Sequence, residues 1–191
     1  MGGLFSELGL ALWLVVAVLP LPATANAADY SIAAIEYLPG PLEQVGKLQA
    51  GLLCLPKGKL RWRDVARPSN DVLLARLSTV LASSGLAVSP RADRLFADPE
   101  PQTTYRVRVV VETVKLRLCI AGLGIGEMQP KGAGQITVRW ETYDRAARAK
   151  IDSVTLDVPL SINGRDVRGA SSVLTDALVE TAQRYAAGRT R

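Results

Sequence analysis

The chain has 191 residues, with 23 basic and 18 acidic side chains, two cysteines and no histidine. The absence of histidine excludes the Ser-His and Cys-His pairs that activate many enzymatic nucleophiles. It also removes the commonest transition-metal ligand. The net charge of +5 fits weak attraction to anionic polymers or lipid surfaces, but it is too small to establish such binding.

The amino-terminal residues have the features of a cleavable signal peptide. The apolar block at residues 8–21 is shorter than the about 20 residues that span a bilayer. Ala25 and Ala27 then hold the small-residue positions that a signal peptidase recognises. No Lys or Arg precedes the block, and an uncleaved membrane anchor is the alternative. We predict a signal peptide at residues 1–27 and one domain at residues 28–191, periplasmic or secreted, with no stable membrane span after cleavage.

The two cysteines, Cys54 and Cys119, both lie inside the predicted mature domain, and neither is close enough to the cleavage site to carry a lipoprotein anchor. In an oxidising compartment they most simply form one disulfide. Two separate buried thiols are the alternative. Two cysteines without histidine fall short of a four-ligand zinc site unless carboxylates help. We therefore predict no bound metal and no cofactor.

The first third of this domain holds one clear strand, one ambiguous segment and one basic segment. Residues 29–37 read as a strand, and residues 42–50 fit a short helix or a strand. Residues 57–64 alternate between basic and apolar side chains, which is typical of a strand with two different faces. The predicted basic strip consists of Lys57, Lys59, Arg61 and Arg63, opposite Leu60 and Trp62. It is either an edge strand protected by charge or a binding strip for an anionic partner.

Two helices and one long strand have stronger signals. Ser69, Asn70 and Asp71 are N-cap candidates, apolar residues follow at helical spacing, and Gly85 suits the end of the helix. A second amphipathic helix is predicted over residues 170–187. Between them, residues 103–120 alternate as a strand, but the apolar positions switch from odd to even numbers. One extra residue near Glu112, a β-bulge, would restore a single apolar face.

The remaining elements complete a strand-rich pattern. Residues 121–134 are predicted to be a glycine-rich connection, and the spacing of its glycines fits neither a dinucleotide fingerprint nor a P-loop. Strands are predicted over residues 135–143 and 150–161, joined by a turn at residues 144–148. The element order predicts an α+β fold, a two-layer sandwich in which an antiparallel or mixed sheet has two helices on one face.

This element order and the hairpin with Trp140 and Asp144 resemble a group of bacterial envelope α/β domains. The group includes the amino-terminal domain of the Tol-system β-propeller protein, the curli-secretion lipoprotein and the lipoprotein activators of peptidoglycan synthases. The likeness covers about residues 69–188. It implies action through protein contacts rather than chemistry, although a fold alone does not transfer function.

Three carboxylates on or beside the central strands, those of Glu112, Glu141 and Asp144, are candidates for an acid pair. A glycosidase needs two such groups in a cleft at a defined separation. Glu141 lies two residues from Arg139, which favours a solvated cross-strand ion pair instead. Trp140 and Trp62 are interpreted as packing residues rather than as a sugar-binding platform.

The leading hypothesis is a non-catalytic periplasmic binding or adaptor domain that acts through protein contacts in the cell envelope. The first alternative is a small carboxylate-dependent hydrolase. The second is a binder of anionic envelope polymers through the basic strip. The expected partner is an envelope protein or an anionic polymer, and no feature points to nucleic acid.

Overall fold

A computed structural model describes residues 30–51, 53–65, 69–89, 103–121, 129–162 and 170–190. The predicted signal peptide therefore lies outside the described residues. The elements, in chain order, are β1 (Tyr30–Tyr37), β2 (Gln44–Ala50), β3 (Leu55–Arg61), a 3-10 turn (Trp62–Asp64), α1 (Asn70–Ser83), β4 (Tyr105–Ala121), β5 (Gln129–Asp144), β6 (Ala149–Ile162) and α2 (Ala170–Ala187).

The described strands form one mixed sheet in the order β3-β2-β4-β5-β6, and β1 also pairs with β4. With its 17 residues, β4 is long enough to pair along one edge with two successive strands, β1 beside its first half and β2 beside its second, both parallel. Its other edge pairs antiparallel with β5. The fold class is confirmed as α+β, with a mixed rather than a purely antiparallel sheet.

The predicted bulge in β4 is confirmed. Val111 pairs with Val138 and Thr113 pairs with Thr137, so Glu112 is the extra residue that has no opposite partner. Valines before the bulge and Val114 after it consequently face the same side, where they are buried. A change of parity in the apolar pattern is thus enough to locate a bulge.

Both predicted helices are present, because each has a local start signal or an apolar stripe that suits the sheet. The hydroxyl of Ser69 accepts a hydrogen bond from the amide of Val72 at the start of α1, and Gly85 has a positive φ of 93° just after its end. In α2, the predicted apolar stripe is buried; its members are Leu174, Ala177, Leu178, Thr181 and Tyr185.

Three predicted boundaries need correction. The ambiguous segment at residues 42–50 contains the strand β2, which the pairing with β3 and β4 selects over a helix. The glycine-rich connection is shorter than predicted, because β5 already begins at Gln129. From the sequence, Pro56 is expected to end the short apolar segment at residues 51–54. In the structure it lies within β3, where an edge position tolerates the missing amide proton.

The core lies between the helices and one face of the sheet. It contains both tryptophans that were predicted to be packing residues. Trp140 is fully buried, stacks on Tyr185 with ring centroids 4.7 Å apart, and donates its indole N–H to the hydroxyl of Thr181 at 3.2 Å. Trp62 is buried beside Tyr37, although it belongs to the 3-10 turn rather than to a strand. Both rings therefore serve packing.

Candidate binding surface on the uncovered sheet face

The helices leave one face of the sheet uncovered, and that face carries the charged strand residues. α2 packs against β5 and β6, and α1 packs against β1 and α2. In β4, Val107 and Val109 are fully buried beneath this layer, whereas Arg106 and Arg108 alternate with them. Since successive strand residues point to opposite faces, the arginines belong to the uncovered face. Any ligand of the strand side chains must approach from this side.

A buried carboxylate, that of Glu141, lies at the centre of a charged network on this face. Glu141 is only 3% exposed. Its Oε1 accepts hydrogen bonds from Arg139 at 2.7 Å and from Lys150 at 3.4 Å. Its Oε2 accepts one from Tyr143 at 2.7 Å and lies 3.6 Å from the guanidinium of Arg108. Both oxygens are therefore fully occupied.

These contacts determine the protonation of the Glu141 carboxyl. Burial, the largest single effect, raises its pKa, but the other contributions oppose it and together outweigh it. They are the hydrogen bonds from Tyr143 and Lys150 and the positive charges of Arg139 and Lys150, and the net result is a lowered pKa. The carboxylate is consequently held ionised at neutral pH, unlike a general acid, whose pKa is raised.

The structure does not bring the three candidate acids together as a free pair. Arg139 lies between two of them, because its Nε donates to Glu112 and its Nη1 to Glu141, both at 2.7 Å. Asp144 instead accepts the amide of Ala147 at 2.9 Å and fixes the β5–β6 turn. The predicted cross-strand ion pair of Glu141 exists, with Arg108 of β4 and Lys150 of β6, and Arg139 adds a pair within the same strand. Its description as solvated is wrong, because the carboxylate is buried.

The predicted basic strip is exposed but is not one continuous strand face. Lys59 and Arg61 alternate with the buried Leu60, as expected. Arg63 lies beyond the end of β3 in the 3-10 turn, so its placement on the strand was wrong. Lys57 occupies an irregularity, because Gly58 pairs with Leu48 and Pro56 with Gln49. Whether these residues bind a partner stays a prediction.

Pairing across β3, β2 and β4 extends the basic residues into a larger surface. Lys59 lies opposite Lys47, and Lys47 lies beside Arg117, so one row of cations crosses three strands. We call the resulting region the basic end of the sheet; its members are Lys47, Lys57, Lys59, Arg61, Lys115, Arg117 and Lys131. All seven are exposed. Sequence reasoning missed Lys47, because its segment was ambiguous, and Lys131, because it was assigned to a loop.

The basic end has no acidic counterpart in the described strands around it. Neither β2 nor β3 contains Asp or Glu, and none occurs at residues 113–121 or 129–138. No ion pair found among the described residues involves a member of the basic end. By contrast, the network around Glu141 is a balanced set of opposite charges. Among the described residues, the charge of the basic end is therefore uncompensated.

A shallow groove of about 500 Å³ runs across this region, with Lys47, Lys115 and Arg117 in its lining. Gly46 of β2 and Gly134 of β5 lie opposite Leu116 of β4 on its two sides. A Cβ atom on Gly46 would lie 2.1 Å from the carbonyl oxygen of Leu116, so only glycine allows the two strands to approach this closely. The groove offers cationic walls and a backbone floor.

The predicted disulfide is present in the structure and lies at the same end of the sheet. Cys54, in the turn between β2 and β3, is bonded to Cys119 of β4, with 5.4 Å between their Cα atoms. Leu53 and Leu55 flank Cys54 and are 79% and 62% exposed. The disulfide thus fastens a turn with two exposed leucines to the central strand.

The described residues contain neither a metal site nor a membrane-spanning helix. The glycines at residues 122–126, already judged a poor phosphate loop, lie outside them. Within the described ranges, no three His, Cys, Asp or Glu side chains come together as a metal site would require. Of the helices in those ranges, none has the length and apolar composition needed to span a bilayer.

No protein-family model matches the chain, and no curated protein is significantly similar to it. Solved structures resemble it weakly. A hypothetical protein from Chlamydia trachomatis matches with a TM-score of 0.45 at 13% identity, over 84% of this chain and 94% of the other. A Xanthomonas campestris protein of family DUF330 matches with a TM-score of 0.42 at 14% identity, over 81% and 93%.

A minor lipoprotein from Acinetobacter baumannii matches with a TM-score of 0.35 at 16% identity, over 76% of this chain and 90% of the other. All three proteins are bacterial. None of them is one of the Tol-system, curli-secretion or peptidoglycan-synthase proteins, so that finer resemblance stays a prediction. With TM-scores below 0.5, we derive no function from these likenesses.

Proposed function

We propose that this chain is a non-catalytic binding domain that acts in the bacterial cell envelope through contact with a partner protein. The observation that carries the proposal is the basic end of the sheet, whose seven cations face no acid in the surrounding strands. An acidic patch on a partner would supply the missing countercharge. Charge complementarity of this kind favours fast and specific association.

The state of Glu141 supports the non-catalytic part of the proposal. A general acid or base needs a proton-transfer atom within reach of a substrate and a pKa near the working pH. Glu141 is buried, accepts from three donors and has a lowered pKa. The hydrolase alternative predicts a reproducible turnover that Glu141→Gln abolishes, and such a result would contradict our proposal.

We expect the exported protein to begin at Ala28, because Ala25 and Ala27 hold the peptidase positions. The disulfide supports export, since such bonds persist in oxidising compartments. Amino-terminal sequencing and the intact mass of protein recovered from the periplasm test this. A mature chain that retains residues 8–21 would contradict it.

The binding proposal is tested by changing Lys59 and Arg61 together to Ser. Both are exposed, so the melting temperature should change little, since surface substitutions usually alter stability by within about 0.5 kcal/mol. At low salt, the variant should capture less partner from envelope extract than the wild type does. The captured partner is identified by mass spectrometry. Capture by the wild type should also weaken at high salt, because exposed charges are screened.

A matched control removes the same charge from the helix layer. Changing Arg76 and Arg184 to Ser deletes two half-exposed arginines that pair with Asp176 and Glu180. The control should capture the partner as well as the wild type does. Equal capture by the Lys59 and Arg61 variant, or unfolding of that variant, would show that the basic residues are structural.

A further inference from the structure

We propose that Leu53 and Leu55, which we call the tip leucines, form a contact site for an anionic phospholipid surface. The leucines enter the headgroup region, and the neighbouring lysines contact the lipid phosphates. This inference goes beyond the proposed protein partner and does not depend on it.

The tip leucines are an unusual exposed apolar pair. Leu53 has the highest exposure, 79%, of the large apolar residues described, and Leu55 is 62% exposed. Single exposed apolar residues are normal on any protein. Two leucines on either side of one cysteine, at the end of a hairpin, instead form a small apolar projection. An interfacial contact requires such a group at the boundary between headgroups and acyl chains.

The turn that carries the tip leucines is held to β4 at Gly51 and at Cys54. The disulfide joins Cys54 to Cys119. The amide of Gly51 donates to the carbonyl oxygen of Ile120 at 3.1 Å, and the amide of Cys54 donates to that of Gly51, also at 3.1 Å. Because the projection is pre-formed, little conformational entropy is lost when it enters a lipid surface.

Two cations lie near the tip leucines in the chain or in the pairing of the strands. Lys57 follows Leu55 by two residues in the same strand. Lys131 is the cross-strand neighbour of Cys119, the disulfide partner of the turn. The remaining members of the basic end continue across β3, β2 and β4. Basic residues within a Debye length of an anionic bilayer are attracted to its phosphates.

The combination favours lipid over a soluble polyanion. A soluble polyanion needs the cations but has no use for two exposed leucines, which would stay in water. An anionic bilayer satisfies both, because phosphates meet the lysines while the leucine side chains leave water. Removal of the leucine side chains from water contributes to the free energy of binding to a bilayer but not to that of binding to a soluble polyanion.

The test measures binding to vesicles of phosphatidylcholine alone and to vesicles in which a third of the lipid is phosphatidylglycerol. Wild-type protein purified from the periplasm should bind the second and not the first. Changing both tip leucines to Ser should lower the affinity about tenfold or more. The matched control is Leu42→Ser, since Leu42 is 63% exposed and lies about 20 Å away, beyond the far end of β2.

The same chain ends are present in all variants, so any contribution of amino-terminal residues cancels in the comparison. The Leu42 variant should bind like the wild type, and changing Lys57 and Lys131 to Ser should lower the affinity about thirtyfold. Equal affinity of the tip variant and the wild type would overturn the proposal and identify the basic end as a site for anionic polymers. Absence of wild-type binding to anionic vesicles would overturn it too.

Leu53→Trp provides a second readout that does not depend on affinity. The tryptophans at positions 62 and 140 are 1% and 0% exposed, so a tryptophan at the tip reports separately from them. Lipids with brominated acyl chains should quench the new fluorescence if the tip enters the bilayer. Binding without quenching would show surface adsorption alone and contradict insertion.

Discussion

Replacing Cys54 and Cys119 with Ser should lower the free energy of unfolding by about 4 kcal/mol. This is the largest effect on stability that we expect of any substitution discussed for this protein. The two residues are 65 positions apart in the chain, and the bond between them restricts the unfolded chain over that distance. The melting temperature should fall by about 10 °C, since 1 kcal/mol corresponds to about 2 to 4 °C in a domain of this size.

The two single cysteine variants test whether the loss of stability comes from the disulfide itself. Either substitution breaks the bond, so each single variant should be nearly as destabilised as the double variant, and the three effects should be strongly non-additive. Thiol titration of the unfolded, unreduced wild-type protein should detect no free thiol. Two titratable thiols, or a double variant with wild-type stability, would rule out a stabilising bridge.

The sequence predicted the elements whose signals are local. The end signals of α1 lie within a few residues of the helix, and the bulge in β4 follows from the parity of its apolar positions alone. The strand β2 was ambiguous because Gly46 interrupts the alternation of polar and apolar residues in its sequence, QVGKLQA. The pairing of β2 with β3 also shifts register beside this glycine. What makes β2 a strand is pairing with β4, more than 60 residues away in the chain.

The same distinction explains what could be predicted of the site. The basic strip was visible because its cations alternate within one segment. The basic end could not be predicted from the sequence, because Lys47, Arg117 and Lys131 become neighbours only through the strand order β3-β2-β4-β5. The burial of Glu141 was also hidden, since a residue on the uncovered face of a sheet would ordinarily be solvated. Long side chains from β4, β5 and β6 converge on it and exclude water.

Glu141 is expected to stabilise the fold in a pH-dependent way. Its folded-state pKa lies below the ordinary value of 4.5, so ionisation favours the folded state. The contribution is fully present above about pH 4.5 and is lost as the pH falls through the lowered folded-state pKa. At neutral pH, Glu141→Gln should cost about 2 to 3 kcal/mol. This is less than the cost of breaking a fully buried pair, because its cationic partners keep some access to water.

The loss caused by Glu141→Gln should therefore shrink as the pH is lowered from 7 to below 4, because the wild-type carboxylate becomes neutral while the amide does not titrate. Urea unfolding of both proteins across this range measures the difference. Asp176→Asn is the matched control: its carboxylate is 68% exposed and pairs with Arg76, so its effect should stay within about 1 kcal/mol at each pH. A Glu141 variant as stable as the wild type at pH 7, or a difference that does not narrow in acid, would show that the network around this carboxylate does not hold the sheet together.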